Sequence, residues 1–138
     1  MRDMLENIVV LDAIRAASVG IGVEVNARLN GVHQVAAEID LADYNYPRKI
    51  LVCVSVGTVG AGGLLNIDME HGDATLGLAT DPSLTFTEID AVGDVVSAYT
   101  PTKRFINVEA VVTVAAIELC ITLVMEHSRY GSQSGLTR

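Results

Sequence analysis

The chain has 138 residues, of which 50% are hydrophobic and 4% aromatic, with no Trp and a formal net charge of −8. That length suits one domain, burying roughly two thirds of its unfolded surface without disulfides or metals. The charge excludes nucleic-acid binding by the folded surface. Neutralising phosphate needs clustered Lys and Arg, and the nine basic residues are scattered apart from the pairs Arg48-Lys49 and Lys103-Arg104.

No apolar run reaches the roughly 18 residues of a membrane span. The stretch Met1 to Ala17 has acidic residues inside its apolar region and no small-residue cleavage site, so no signal peptide is expected. Cys53 and Cys120 each lie in an apolar run. They read as buried free thiols of a protein made in a reducing cytosol, with a disulfide between neighbouring strands as the unforced alternative.

In chain order, Asn7 to Ile14 reads as a strand on its β-branched run Ile8-Val9-Val10, or as a short helical turn, because so short a run has no decisive period. Gly20 and Gly22 bend the chain. Val23, Val25 and Ala27 alternate with polar residues in a short strand, Asn30-Gly31 is a turn, and Val35 to Leu41 returns. Asp40 to Pro47 is a polar corner. Ile50 to Val56 is apolar on both faces, which predicts a central strand covered on both sides.

Past the glycine loop Gly57 to Gly63, Leu65, Ile67, Met69 and His71 alternate with Asn66, Asp68, Glu70 and Gly72, a strand with an acidic outer face. Gly72 to Ser83 reads as a long polar excursion, Leu84 to Ile89 as a short strand and Val95 to Tyr99 as a brief pairing. Lys103 to His127 carries the strongest pattern. Ile106, Val108, Ala110, Val112 and Val114 share one face, and Leu119, Ile121, Leu123 and Met125 another, which predicts a long hairpin turning at Ala115-Ala116. The whole predicts an all-β fold of about eight strands, an antiparallel sandwich of jelly-roll type or a closed barrel, in a single domain over residues 1–138.

Chemistry is sparse in this pattern. His33, His71 and His127 lie in separate segments with no metal-ligand spacing and read as strand-end or surface residues. Asp68, Glu70 and Asp73 offer oxygens to a cation but lack a calcium-loop pattern, so a solvated strand face is preferred. The glycine loop has no Lys-Ser/Thr end and leads into a strand, where a phosphate loop opens a helix. No nucleophile elbow surrounds Ser55 or Ser97. No catalytic residue, cofactor or metal is expected, and the protein is not expected to be an enzyme.

Two stretches carry a resemblance: Asp40-Leu41-Ala42-Asp43-Tyr44 running into the apolar strand Ile50 to Val56, and Lys103-Arg104-Phe105-Ile106-Asn107-Val108 followed by a final strand and the tail His127-Ser128-Arg129-Tyr130. With the Ile-Val-Val strand near the N-terminus and the acidic strand and polar loop from Ile67 to Asp81, the pattern spans about Asn7 to Tyr130. It resembles the small head-associated proteins of tailed bacteriophages, the minor capsid or decoration proteins. Members often have a Gly-rich turn between their last strands, where this chain has Val114-Ala115-Ala116-Ile117, so that tip is expected to pack against something apolar.

The resemblance implies a β-sandwich bound to the major capsid protein on the virion exterior as a trimer or dimer, without catalysis, after synthesis in the host cytoplasm. Arg48, Lys49, Lys103, Arg104, Arg129 and Tyr130 become candidate capsid or subunit contacts, with ordinary charges at strand starts as the plainer reading of the basic pairs. Segments 1–7 and 128–138 are expected to be held by neighbouring chains, since Gly131 to Gly135 has no apolar content with which to dock itself. A head-to-tail connector or tail component is the alternative. A carbohydrate-binding sandwich is a further one, needing open rings among Tyr44, Tyr46, Phe86, Tyr99, Phe105 and Tyr130.

Overall fold

A computed structural model describes residues 8–19, 24–26, 28–29, 32–33, 38–75 and 77–126. Its strands are β1 (Ile8–Val19), β2 (Glu24–Asn26), β3 (Arg28–Leu29), β4 (Val32–His33), β5 (Ile39–Asp40), β6 (Ile50–Val59), β7 (Leu64–Gly72), β8 (Ala79–Thr85), β9 (Gly93–Tyr99), β10 (Phe105–Thr113) and β11 (Ile117–Glu126). The described residues hold one 3-10 turn, Leu41–Tyr44, and no α-helix.

One sheet has the order β1-β11-β6-β9. The other has the order β2-β10-β7-β8, with β5 also paired to β10, and β3 and β4 form a separate small ladder. The antiparallel pairs β1/β11, β2/β10, β6/β9 and β7/β8 nest inside one another in chain order. The chain is therefore rolled up like one long hairpin folded across two sheets, which is an eight-strand jelly roll. The all-β sandwich expected from strand density is the fold observed.

Period-two alternation aims one side of each sheet inward. Ile50, Val52, Val54 and Val56 on β6 and Leu119, Ile121, Leu123 and Met125 on β11 face Leu65, Ile67 and Met69 on β7 and Ile106, Val108, Ala110 and Val112 on β10, all of them buried. A core of small and branched side chains fits two pleated faces about 10 Å apart.

Three sequence expectations change. Lys103 to His127 is not a hairpin: β10 pairs with β7, β2 and β5, whereas β11 pairs with β1 and β6. Both strands bury one face against the same core, so they oppose each other across it and the link at 114–116 is a crossover between sheets. Gly72 to Ser83 is not wholly an excursion. β8 begins at Ala79, and beyond Thr85 only Ile89 pairs, bridging to Leu65. β6 is central as expected, yet only its inner face is covered, and Leu51 on the other side is 43% exposed. Residues 35–37 of the expected strand Val35 to Leu41, the Asn30-Gly31 turn, Gly20 and Gly22, and segments 1–7 and 127–138 lie outside the described residues.

Candidate functional site

Among the described residues two polar side chains are buried, Asp81 and Asn107. Asp81, in β8, is 3% exposed and gathers donors from three elements. The Ser83 backbone N–H donates to its Oδ1 at 2.9 Å, the Tyr99 hydroxyl donates to Oδ2 at 2.7 Å, and Nδ1 of His71 lies 2.9 Å from Oδ2. Burial pushes the Asp81 carboxyl up, but the Ser83 N–H, the Tyr99 and Ser83 hydroxyls and His71 outweigh it and hold the group below the usual carboxylate range. Burial and then the Asp81 charge keep the Tyr99 phenol far above its ordinary value, so it remains a donor.

The Thr102 hydroxyl lies 3.4 Å from the same Nδ1 of His71 that meets Asp81. A nucleophile relay places acid and nucleophile on opposite ring nitrogens. Here both crowd one nitrogen, so the cluster orients the ring without passing a proton through it. Its geometry is that of a clamp, joining β7 and β8 of one sheet to β9 of the other at the edge of the sandwich. His71 does stand at a strand end, as expected, but half-buried and paired.

The two stretches behind the family resemblance meet in space. β5 pairs with the start of β10, Asp40 opposite Phe105. Asp40 caps the 3-10 turn, its Oδ1 accepting from the Ala42 N–H at 3.0 Å. It also receives a two-pronged contact from Arg104, Nε to Oδ1 at 2.9 Å and a terminal guanidinium nitrogen to Oδ2 at 2.8 Å. The guanidinium carbon of Arg104 lies 5.0 Å from the Phe105 ring centre. Lys103 pairs with Asp73 across the neighbouring loop.

Of the expected contact residues, Lys103 and Arg104 are thus engaged inside the chain. Arg48 and Lys49 are exposed just before β6 and make no ion pair with a described residue. Arg129 and Tyr130 lie outside the described residues.

The hydrogen bond from Arg104, followed by weaker contributions, holds the Asp40 carboxyl below its usual range. A depressed carboxyl pKa contributes stability above about pH 4 and loses it as pH falls through the folded value. Arg104→Gln is therefore expected to be less stable than the parent at pH 7, and the gap is expected to close below about pH 4. Urea titrations of both proteins at several pH values measure this; a gap that stays constant with pH contradicts it.

The feature that periodicity did not announce is the outer face of the β1-β11-β6-β9 sheet. Its register aligns Val10, Val124, Leu51 and Ala98, one from each strand, in a single row. Val10 is 63% exposed and Leu51 43%, and Ala98 is exposed as well. The adjoining row is mixed, placing Asp12, Thr122, Cys53 and Val96 in register, with Val96 61% exposed. Cys53 and Cys120 are not joined to each other, and they stand half-buried on this outer face and not in the core as expected.

Polar groups border the apolar row. At one end the Ser55 hydroxyl donates to Asp94 and the Thr58 hydroxyl donates to Glu118 at 2.7 Å. At the other end stand exposed Lys49 and Glu126. The signal in the sequence is the two-sided apolar character of Ile50 to Val56, which by itself predicts double burial. No described helix is long and apolar enough to cross a membrane, and no described group of His, Cys, Asp and Glu is arranged to hold a metal ion. A scan against protein-family models finds no match to this chain, and a search of curated proteins finds none either.

Proposed function

We propose that the protein is a non-enzymatic structural subunit of a tailed-phage particle, decorating or cementing the exterior of the capsid as an oligomer. The observation that carries this reading is the apolar row crossing all four strands of an outward sheet face, on a chain whose net charge is −8. A contiguous apolar patch on such a surface marks a place where another molecule sits. A rigid jelly roll, a fold that capsid proteins share with lectins and cupins, presents it without needing a pocket. Weak contacts of this kind gain affinity by repetition over a lattice.

The partner is the major capsid protein, and the place of action is the virion surface. Arg48 and Lys49 are the first candidates for acidic capsid patches; Lys103, Arg104, Arg129 and Tyr130 are further contacts on this reading. The carbohydrate alternative gains no support, because the described aromatics Tyr44, Tyr46, Phe86, Tyr99 and Phe105 are buried or half-buried and offer no open ring for stacking.

Quantitative mass spectrometry of purified particles, referenced to the major capsid protein, tests the proposal. A ratio between about one to one and one to three is expected for lattice-wide decoration. Only a dozen or so copies would move the assignment to a connector or tail role. Absence from particles would overturn the structural reading.

A further inference from the structure

We infer that the outer face of the β1-β11-β6-β9 sheet is a dimer interface, covered by the same face of a second copy about a two-fold axis that runs along the strands between β6 and β11. The register supplies the argument. Such an axis lays β11 of each copy over β6 of its partner, and β1 over β9. Within the apolar row, Val124 then meets Leu51 and Val10 meets Ala98, each contact made twice, as an isologous interface requires.

The charges select this axis. Met125 opposite Ile50 ends the β11/β6 ladder, and the next residues, Glu126 and Lys49, are both exposed. Neither forms an ion pair with a described residue. Laying β11 over β6 brings the Lys49 of one copy onto the Glu126 of the other, twice. An axis across the strands, with the apolar rows kept in contact, would set Lys49 over Cys53 and leave both charges unmatched. At the opposite rim Asp94 and Glu118 already accept hydroxyl hydrogen bonds, which reduces the cost of covering them.

The size of the face sets the strength. Four strands about 4.8 Å apart and seven residues of about 3.3 Å give a footprint of roughly 450 Å² per copy. Two copies bury near the ~1,000 Å² at which specific association begins. The dimer is accordingly weak, with a micromolar dissociation constant.

Sedimentation equilibrium of the full chain, from about 1 to 500 µM, tests this against the micromolar range. The parent is expected to pass from monomer to dimer across that range. Lys49→Glu and Glu126→Lys are each expected to weaken dimerisation about tenfold or more, and the double variant to restore it to within about threefold. Both positions are exposed, so circular dichroism is expected to show an unchanged fold. Leu51→Asp is expected to abolish the dimer, and a bismaleimide with a spacer of about 10 Å, the distance between packed sheets, is expected to join two parent chains through Cys53 or Cys120.

A parent that stays monomeric throughout, or single charge reversals that the double variant does not rescue, would overturn the inference. It gives a form to the oligomer of the particle reading without needing the particle. A rescued dimer together with absence from particles would sink only that reading, whereas a decorating monomer would sink this inference and, of that reading, the oligomeric state.

Discussion

Replacing Asp81 by alanine is expected to cost about 3–5 kcal/mol, because the change removes a buried carboxylate, strands the buried Tyr99 hydroxyl and takes a partner from the Ser83 N–H and from His71. The Tyr99 side chain is fully buried, and its hydroxyl has the Asp81 carboxylate as acceptor at 2.7 Å. The Ser83 N–H and His71 lose the same partner. For a chain of 138 residues the loss corresponds to a fall in Tm of about 10–17 °C, at roughly 2.1 cal/mol/K of unfolding entropy per residue. Differential scanning calorimetry measures it. Tyr99→Phe, which removes one donor and leaves Asp81 two others, is expected to lose about 1–2 kcal/mol. A loss below about 1 kcal/mol for Asp81→Ala would mean that the cluster is not a clamp between the sheets.

The same cluster fixes a pH signature. The folded Asp81 carboxyl titrates below its unfolded counterpart, so its contribution is complete above about pH 4 and disappears as pH falls through the folded value. The advantage of the parent over Asp81→Asn is therefore expected to shrink between neutral pH and pH 3, in the window where the Asp40–Arg104 pair also fails. Tyr99 works at the other extreme. Its pKa is raised on folding, so its contribution is present below about pH 10 and is lost as the unfolded phenol ionises above that. Asp81→Asn separates the two carboxylates, since it leaves the Asp40 response intact.

What the sequence revealed and concealed follows from what period two can encode. Alternation in Phe105 to Thr113 and Ile117 to Glu126 gave strands with one inward face, and those faces are the core. Alternation says nothing about which strand lies beside which. Two consecutive strands with inward faces can form a hairpin or oppose each other across a sandwich, and here the nested topology takes the second course.

Asp81 was hidden for a different reason. Its stretch, Ala79-Thr80-Asp81-Pro82-Ser83, has the composition of a loop, and only Tyr99 and His71 arriving from other strands make burial of a carboxylate tolerable. That compensation is non-local, so no window of sequence contains it. The outer face was legible in composition but not in meaning. Leu51 and Cys53 were visible as apolar, and the choice between double burial and an open docking face depends on what lies outside the chain.

The second large effect is expected where the chain crosses between sheets. Gly60 sits against the crossover tip: its N–H donates to the Ala116 carbonyl at 2.9 Å. A side-chain carbon placed on Gly60 would lie 2.8 Å from Cβ of Ala115 and 3.0 Å from the Ala116 carbonyl oxygen. Neither neighbour is the free end of a flexible side chain, so Gly60→Ala must displace the tip, at a cost of about 1–3 kcal/mol, or roughly 3–10 °C in Tm. The glycine loop is therefore a surface shaped for close approach. The Val114-Ala115-Ala116-Ile117 tip meets this loop through backbone and small side chains, while Val114 itself stays 58% exposed instead of packing against an apolar surface.

The tip also stores strain. Val114 has φ of 71°, and the Ala115 N–H donates back to the Thr113 carbonyl at 2.9 Å, a three-residue turn of the rare hand. A β-branched residue is poorly suited to that region, and Val114 recovers little by burial, being 58% exposed. Val114→Gly is expected to stabilise the protein by about 1 kcal/mol, as relief of the backbone outweighs the added freedom of the unfolded chain. Because positions 60 and 114 act on the same tip, the double variant is expected to deviate from additivity, with Val114→Gly recovering part of the Gly60→Ala loss as the tip gains room to move. Thermal denaturation of the two single variants and the double variant decides it. A Val114→Gly protein less stable than its parent would show that the left-handed turn is not strained, and that the valine is held there by contacts worth more than its conformation costs.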